Sequence, residues 1–144
     1  MILLGADQLS RFLNRAAETP FVWGSHDCLL WLADWVALRY VVDPGSTWRG
    51  RYSTMREAAR IVRDAGGMVS LLDGAATLAG LPRVKCGARG DVAVVAVDQS
   101  VATDGGEHFG DQAGAILLDG SAALISQGGL VVAPMPVVAA WRVG

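Results

Sequence analysis

The sequence predicts an α+β fold in which N-terminal helices pack on one face of a C-terminal antiparallel sheet. Helix caps and helical apolar spacing occupy the chain up to Gly80, whereas short apolar runs separated by Asp-Gly and Gly-Gly turns occupy the chain after Pro82. Helices that come first and strands that come second are typical of this class. Because no internal repeat or linker divides the chain, we expect one domain over residues 1–144.

Four helices are expected in the first part of the chain. Capping residues indicate where most of them start, and apolar residues at helical spacing give each one a buried face. The second helix is apolar nearly all round, which places it at the centre of the fold. The four run from the Asp7 cap to about Glu18, from the Asp27 cap over about 28–40, from the Thr54/Glu57 capping box to Ala65, and over about 68–78 to an end near Gly80.

Five short strands are expected in the second part of the chain, arranged as a meander. A polar, glycine-rich stretch over residues 98–111 follows the first strand and is predicted to be a loop. Strong turn signals separate the later apolar runs. The expected strands are Val92–Val97, Ala113–Leu118, Ala122–Ser126, Leu130–Val132 and Ala139–Val143.

The composition excludes several classes of protein. Apolar residues make up 52% of the 144 residues and charged residues 18%, which excludes intrinsic disorder. A net charge of −2 without any basic block argues against a nucleic-acid partner or an anionic membrane surface. The N-terminus lacks the features of a signal peptide, and no apolar run is long enough for a membrane-spanning helix. Two cysteines are too few for a disulfide scaffold.

Cys28 is the strongest candidate for a chemical role. It follows the predicted N-cap Asp27 and opens an apolar helix, where free backbone N–H groups and the helix dipole favour a thiolate. Gly24 precedes it and allows close approach of backbone or substrate. The alternative is a buried structural thiol that anchors the start of the helix, since free cysteine is among the most buried residue types.

Two histidines could assist that sulfur. His26 lies two residues before Cys28 and could act on the thiol electrostatically, and His108 in the 98–111 loop could be brought to it as a general base. For both, a solvated loop histidine is the simpler interpretation. The two cysteines and two histidines show none of the paired spacings of a zinc site, so we predict neither a metal site nor a cofactor.

An arginine-containing loop is a candidate contact surface for another protein. Trp48 and Tyr52 flank Arg49 and Arg51 in this loop, and tryptophan, tyrosine and arginine dominate the hot spots of protein interfaces. The alternative is that the aromatic residues supply core mass, which explains most of the five tryptophans of the chain.

An ordered set of motifs resembles the NlpC-like family that is encoded in phage tail and gene-transfer-agent clusters. The resemblance covers essentially the whole chain. That family is similar to the NlpC-type papain-like cysteine peptidases, which cleave the peptide stems of bacterial cell walls. The motifs are Phe21-Val22-Trp23-Gly24-x-x-Asp27-Cys28, Ala33-Asp34-Trp35-Val36, Arg49-Gly50-Arg51-Tyr52, Gly66-Gly67, Arg89-Gly90-Asp91-Val92, Gly129-Leu130-Val131 and Ala140-Trp141-Arg142-Val143-Gly144.

The resemblance implies that Cys28 is the nucleophile position, but the base position does not match. Active peptidases of this type begin the next strand with histidine, where this chain has Gln112, which has no titratable group. The third polar residue would fall near Ser126 or Gln127. General acid–base assistance is worth about 10²–10⁴-fold, so hydrolysis without a base should be very slow.

Two functions follow from this comparison. The first is a structural protein of the phage tail or tail tip with a degenerate peptidase fold, bound to other tail-assembly proteins and found in the virion or, during assembly, in the host cytoplasm. The second is an active cysteine peptidase or amidase that cuts peptidoglycan peptide during DNA entry, with Cys28 as nucleophile and His108 as base.

Overall fold

The computed structural model describes residues 7–97 and 111–144, and within these ranges it has the predicted α+β architecture. Four helices precede six strands that form one antiparallel sheet. None of these helices is long and apolar enough to cross a membrane. The elements are α1 Gln8–Glu18, α2 Leu30–Ala37, α3 Met55–Asp64, α4 Met68–Ala79, β1 Arg83–Val84, β2 Val92–Ala96, β3 Gln112–Leu117, β4 Ala122–Ser126, β5 Gly129–Ala133 and β6 Val137–Trp141.

Three of the helices begin and end close to where the sequence predicts. The Asp7 carboxylate accepts from the Ser10 N–H at 2.8 Å and caps α1, and the Thr54 hydroxyl accepts from the Glu57 N–H at 3.1 Å and caps α3. Helix α4 ends at Gly80, whose φ of 79° is the left-handed conformation typical of a helix C-terminus.

Helix α2 is shorter than the predicted 28–40 at both ends. The Trp31 N–H donates to the Asp27 carbonyl at 2.9 Å, so one turn leads into the helix, but Cys28 lies in that turn and regular helix begins at Leu30. At the other end, the Arg39 and Tyr40 N–H groups both donate to the Val36 carbonyl, which closes the helix into a turn. The prediction that Cys28 opens the helix itself is therefore wrong by two residues.

The sheet has the strand order β1-β6-β2-β3-β4-β5, with every neighbouring pair antiparallel. Strands β2 to β5 form the predicted meander. Strand β6 departs from it, because it returns to pair with the outer edge of β2, with a bulge opposite Val94 and Val95. The two-residue strand β1 was not predicted, since a run of this length leaves no pattern in a sequence.

The helices cover one face of the sheet and enclose the main core. The largest buried side chains are Trp31, Trp35 and Trp141, each at most 2% exposed. Helix α2 lies directly on β3, because a Cβ on Gly114 would come within 2.5 Å of the Leu32 Cδ1. The opposite face carries a second buried cluster of mainly alanine and valine side chains.

The Arg89-Gly90-Asp91-Val92 motif joins the helices to the sheet. The Trp35 indole donates to the Gly90 carbonyl at 2.8 Å. The Asp91 carboxylate is 1% exposed and accepts from the Arg142 guanidinium at 2.9 Å and from the Val143 N–H at 3.0 Å. This motif therefore has a structural role at the start of β2.

Candidate functional site

The chain before Cys28 forms a tight loop that lies against the segment around Tyr52. Val22 and His26 exchange two backbone hydrogen bonds, of 2.9 and 2.8 Å. Gly24, at the tip of this loop, has a φ of 83°, and a Cβ at this position would lie 1.9 Å from the Tyr52 carbonyl oxygen. Any other residue would be strained at this φ, and its Cβ would collide with the Tyr52 carbonyl, so this position needs glycine. The predicted need for glycine is confirmed, although the group it admits is the protein's own backbone.

Asp27 organises the turn that contains Cys28. Its carboxylate is fully buried and accepts four hydrogen bonds. One oxygen accepts from the Leu29 and Leu30 N–H groups at 3.0 and 2.9 Å, and the other accepts from the Gly24 N–H at 2.8 Å and the Tyr52 hydroxyl at 2.5 Å. The sequence predicted a helix cap here. It did not predict the hydrogen bonds from Gly24 and Tyr52. Through them the Asp27 carboxylate connects the loop before Cys28, the turn that contains Cys28 and the segment around Tyr52.

Tyr52 belongs to the core and not to the surface. Its side chain is 5% exposed, and burial together with the hydrogen bond to Asp27 raises the pKa of the phenol well above its usual range. A side chain so buried cannot contact a partner protein. The prediction that Tyr52 belongs to a contact surface is therefore wrong.

The environment of Cys28 opposes a thiolate. The residue is half-buried, and burial of the sulfur together with the charge of Asp27 raises the pKa of the Cys28 thiol to about 12. The backbone N–H groups of Cys28 and Leu29 favour the thiolate, as the sequence predicts, but they are outweighed. At neutral pH such a thiol is almost entirely protonated. The expected activation of the sulfur by the helix start is therefore wrong.

His26 is half-buried, which corrects the expectation of a solvated loop histidine. Burial lowers the pKa of its imidazole, although the nearby charges of Asp34 and Asp27 act in the opposite direction. Its Nε2 atom is buried without a hydrogen-bond partner in the described part of the chain. At neutral pH this ring is therefore an uncharged neighbour of the Cys28 turn.

Arg49 fastens the loop before Tyr52 to α2. Its guanidinium contacts Asp34 of α2 at 2.6 Å and Asp43 of the loop at 2.7 Å. The hydrogen bond from Arg49 lowers the pKa of Asp43, whereas burial raises that of Asp34. Arg49 is thus engaged within the molecule.

The remaining members of the predicted contact surface differ in exposure. Trp48 is half-buried, packs against the main core and lines a small apolar cavity of about 40 Å³ beside Pro44 and Leu72. Arg51 is exposed. Of the four predicted residues, Arg51 is the one whose side chain is open to solvent.

Gln112 begins β3 and pairs with Ala96 of β2. Because residues alternate between the two faces of a strand, Gln112 shares the helix-side face with Gly114, which lies under α2. It is half-buried. Gln112, which the sequence predicts to take the place of a catalytic base, thus lies on the face of the sheet that carries α2, and its side chain cannot take up a proton.

The other predicted site residues contribute no partner for Cys28 in the described part of the chain. Ser126 closes the turn between β4 and β5, donating to the Gly129 carbonyl at 3.3 Å and accepting from the Gly128 N–H at 3.2 Å. His108 lies outside the described residues. Within residues 7–97 and 111–144, no cluster of three or more His, Cys, Asp or Glu side chains could hold a metal ion.

Comparison with known proteins identifies the family. No curated protein matches the chain, and no solved structure matches it. One family profile matches residues 5–143, a range that includes the loop before Cys28, the Asp27 turn, Tyr52 and the whole sheet. The chain therefore belongs to the family described as Domain of unknown function (DUF6950).

Proposed function

We propose that this chain is a structural protein of a phage tail or tail tip, with an NlpC-type peptidase fold that no longer hydrolyses peptide bonds. The observation that carries the proposal is the state of Cys28. Burial and the adjacent Asp27 raise the pKa of its thiol to about 12. Because the thiolate is the nucleophile, a sulfur in this environment is a poor catalyst at physiological pH.

The surroundings of Cys28 support the same proposal. Asp27 is fully occupied by four donors and Arg49 by two carboxylates, so neither is available to a substrate or to the thiol. Gln112 has no titratable group at the place where the resembled peptidases have histidine. Asp27 and Arg49 instead hold separate segments of the chain together.

A turnover assay tests the loss of hydrolysis. Purified protein is incubated with a muramyl peptide, and release of the cleaved stem is compared with that of the Cys28→Ser variant. We expect no turnover above the variant. Turnover that disappears in both Cys28→Ser and His108→Ala would instead support the active peptidase, with His108 as its base.

Complementation tests the role in the tail. In cells that produce the particle, Cys28→Ala is expected to give normal tails, because the half-buried sulfur has no catalytic task and its loss removes a single heavy atom from the packing. Arg51→Glu, which changes the exposed residue of the predicted contact loop, is expected to reduce the yield of complete tails. Defective tails with Cys28→Ala and normal tails with Arg51→Glu would contradict the proposal.

A further inference from the structure

A groove on the sheet side opposite the helices lies beside an incomplete strand pair. Strand β1 pairs with only Trp141 and Ala140 of β6. Within the described ranges, residues 137–139 have β2 on one side and no strand on the other. The groove occupies this open edge, with a volume of about 720 Å³, and is lined by residues 83–87 and 137–140 and by Leu117.

The groove exists because the chain leaves the sheet after Val84. Lys85 and Cys86 bend away from β6, and Gly87 crosses the face of the sheet over Leu117. A Cβ on Gly87 would lie 2.2 Å from the Leu117 Cδ1, so a larger residue at this position would have to displace the Leu117 side chain. If β1 had continued, it would have covered the edge that the groove leaves open.

The open edge offers both backbone and apolar contacts. Val94 and Val95 of β2 pair with Ala139 and Val137, so the bulge leaves Val138, which lines the groove, without a paired residue on β2 in the described part of the chain. Val137 and Val138 are 49% and 45% exposed, unusually high for valines in a sheet. Edges of this kind accept an added strand, which gains main-chain hydrogen bonds and side-chain pockets.

The charge of the residues that line the groove indicates what kind of strand would bind there. The described residues that line the groove include two cations, Arg83 and Lys85, and no carboxylate. Arg83 approaches Asp73 at 3.9 Å and lies over the Trp141 ring, whereas Lys85 has no carboxylate within ion-pair distance in the described part of the chain. A second copy of the chain would bring its own Arg83 and Lys85 to the same edge, and like charges there are destabilising.

We propose that residues 137–139 of β6 bind an extended acidic segment of a partner protein, which adds to the sheet where β1 ends. The segment's backbone pairs with Val138, its apolar side chains contact Val137 and Val138, and its carboxylates face Arg83 and Lys85. This inference rests on the proposed function only in that the domain acts by binding another protein, and it holds whatever the chemistry of Cys28.

Two residues of the groove make the test selective. Lys85 is the single lysine of the sequence, and Cys86 is the exposed one of two cysteines. The probe is a capped peptide of alternating valine and glutamate, and the control peptide carries lysine in place of glutamate. The readouts on the full chain are the alkylation rate of Cys86, with Cys28 as internal reference, and amide hydrogen exchange at Val138.

The glutamate peptide is expected to protect both positions. At about ten times its Kd, alkylation of Cys86 should slow about tenfold, and exchange at Val138 should slow with it. The lysine peptide should give no protection to the natural chain, and Lys85→Glu should reverse this preference. Arg60→Glu is the matched control, since it makes the same reversal of charge at an exposed residue of α3 outside the groove and should leave peptide binding unchanged.

Three results would overturn the proposal. These are no protection at any soluble peptide concentration, equal protection by both peptides, or a chain that dimerises by itself and protects Cys86 in a concentration-dependent way. Val138→Pro removes the edge N–H and should abolish protection, and if it fails to fold, the exposed Lys85→Glu variant decides. A defect of tail assembly in Cys28→Ala would count against the proposed function and leave these binding results unaffected.

Discussion

Replacing Asp27 by asparagine should lower the free energy of unfolding by about 3–5 kcal/mol. The carboxylate accepts four hydrogen bonds inside the protein. Asparagine keeps one acceptor oxygen for Leu29 and Leu30, and its NH₂ group can donate to the Tyr52 hydroxyl. The Gly24 N–H then faces a donor and loses its partner, which costs about 1–3 kcal/mol. The two hydrogen bonds from the Leu29 and Leu30 N–H groups are kept, but each weakens by about 1 kcal/mol because the acceptor is no longer charged.

Urea unfolding measures this loss. Three buried tryptophans report the transition by fluorescence, and linear extrapolation gives the free energy of unfolding in water. Asp64→Asn is the matched control, because it makes the same change at an exposed carboxylate and should alter stability by less than about 0.5 kcal/mol. A loss below about 1 kcal/mol for Asp27→Asn would refute the view that this charge organises the turn.

Three further perturbations test parts of the same site. Tyr52→Phe removes one donor to Asp27 and should cost about 1.5–3 kcal/mol in the same unfolding assay, whereas no loss would show that the bond is dispensable. Gly24→Ala should destabilise more than Gly50→Ala, since both have positive φ, worth about 1–2 kcal/mol, but only Gly24 would bring a Cβ onto a backbone carbonyl. Burial lowers the pKa of His26 in the folded protein, so on acidification the unfolded chain takes up a proton at this ring before the folded protein does. The free energy of unfolding should therefore fall as the pH drops through 6.5. His26→Gln should flatten that fall, and an unchanged pH profile would contradict the burial of the ring.

Local signals predicted most of the fold. The caps at Asp7 and Thr54 and the glycine at Gly80 act within a few residues, so helices α1, α3 and α4 could be placed from the sequence. The return of β6 to β2 could not, because strand order depends on long-range pairing that turn residues do not encode. The same holds for β1, whose two residues acquire their conformation only by pairing with β6.

The candidate site was predicted in its position but not in its chemistry. The sequence placed Cys28 after a capping aspartate, and the Asp27 carboxylate does cap the turn. The capping charge that suggested a reactive thiol is, however, the charge that opposes the thiolate, since it lies beside the sulfur in a buried environment. Tyr52 was predicted to be exposed because its residue type is common at interfaces. Its burial depends on the contact with Asp27 from a distant segment.

Titration of Cys28 decides whether its sulfur can act as a nucleophile near neutral pH. In a Cys86→Ser variant, the ultraviolet absorbance of the thiolate reports Cys28 alone, and it can be followed from about pH 5 to about pH 9 while the protein stays folded. With a thiol pKa raised to about 12, no thiolate should form over this range. A thiolate that appears near neutral pH and is lost in a further Cys28→Ser variant would contradict the account and point to a working nucleophile.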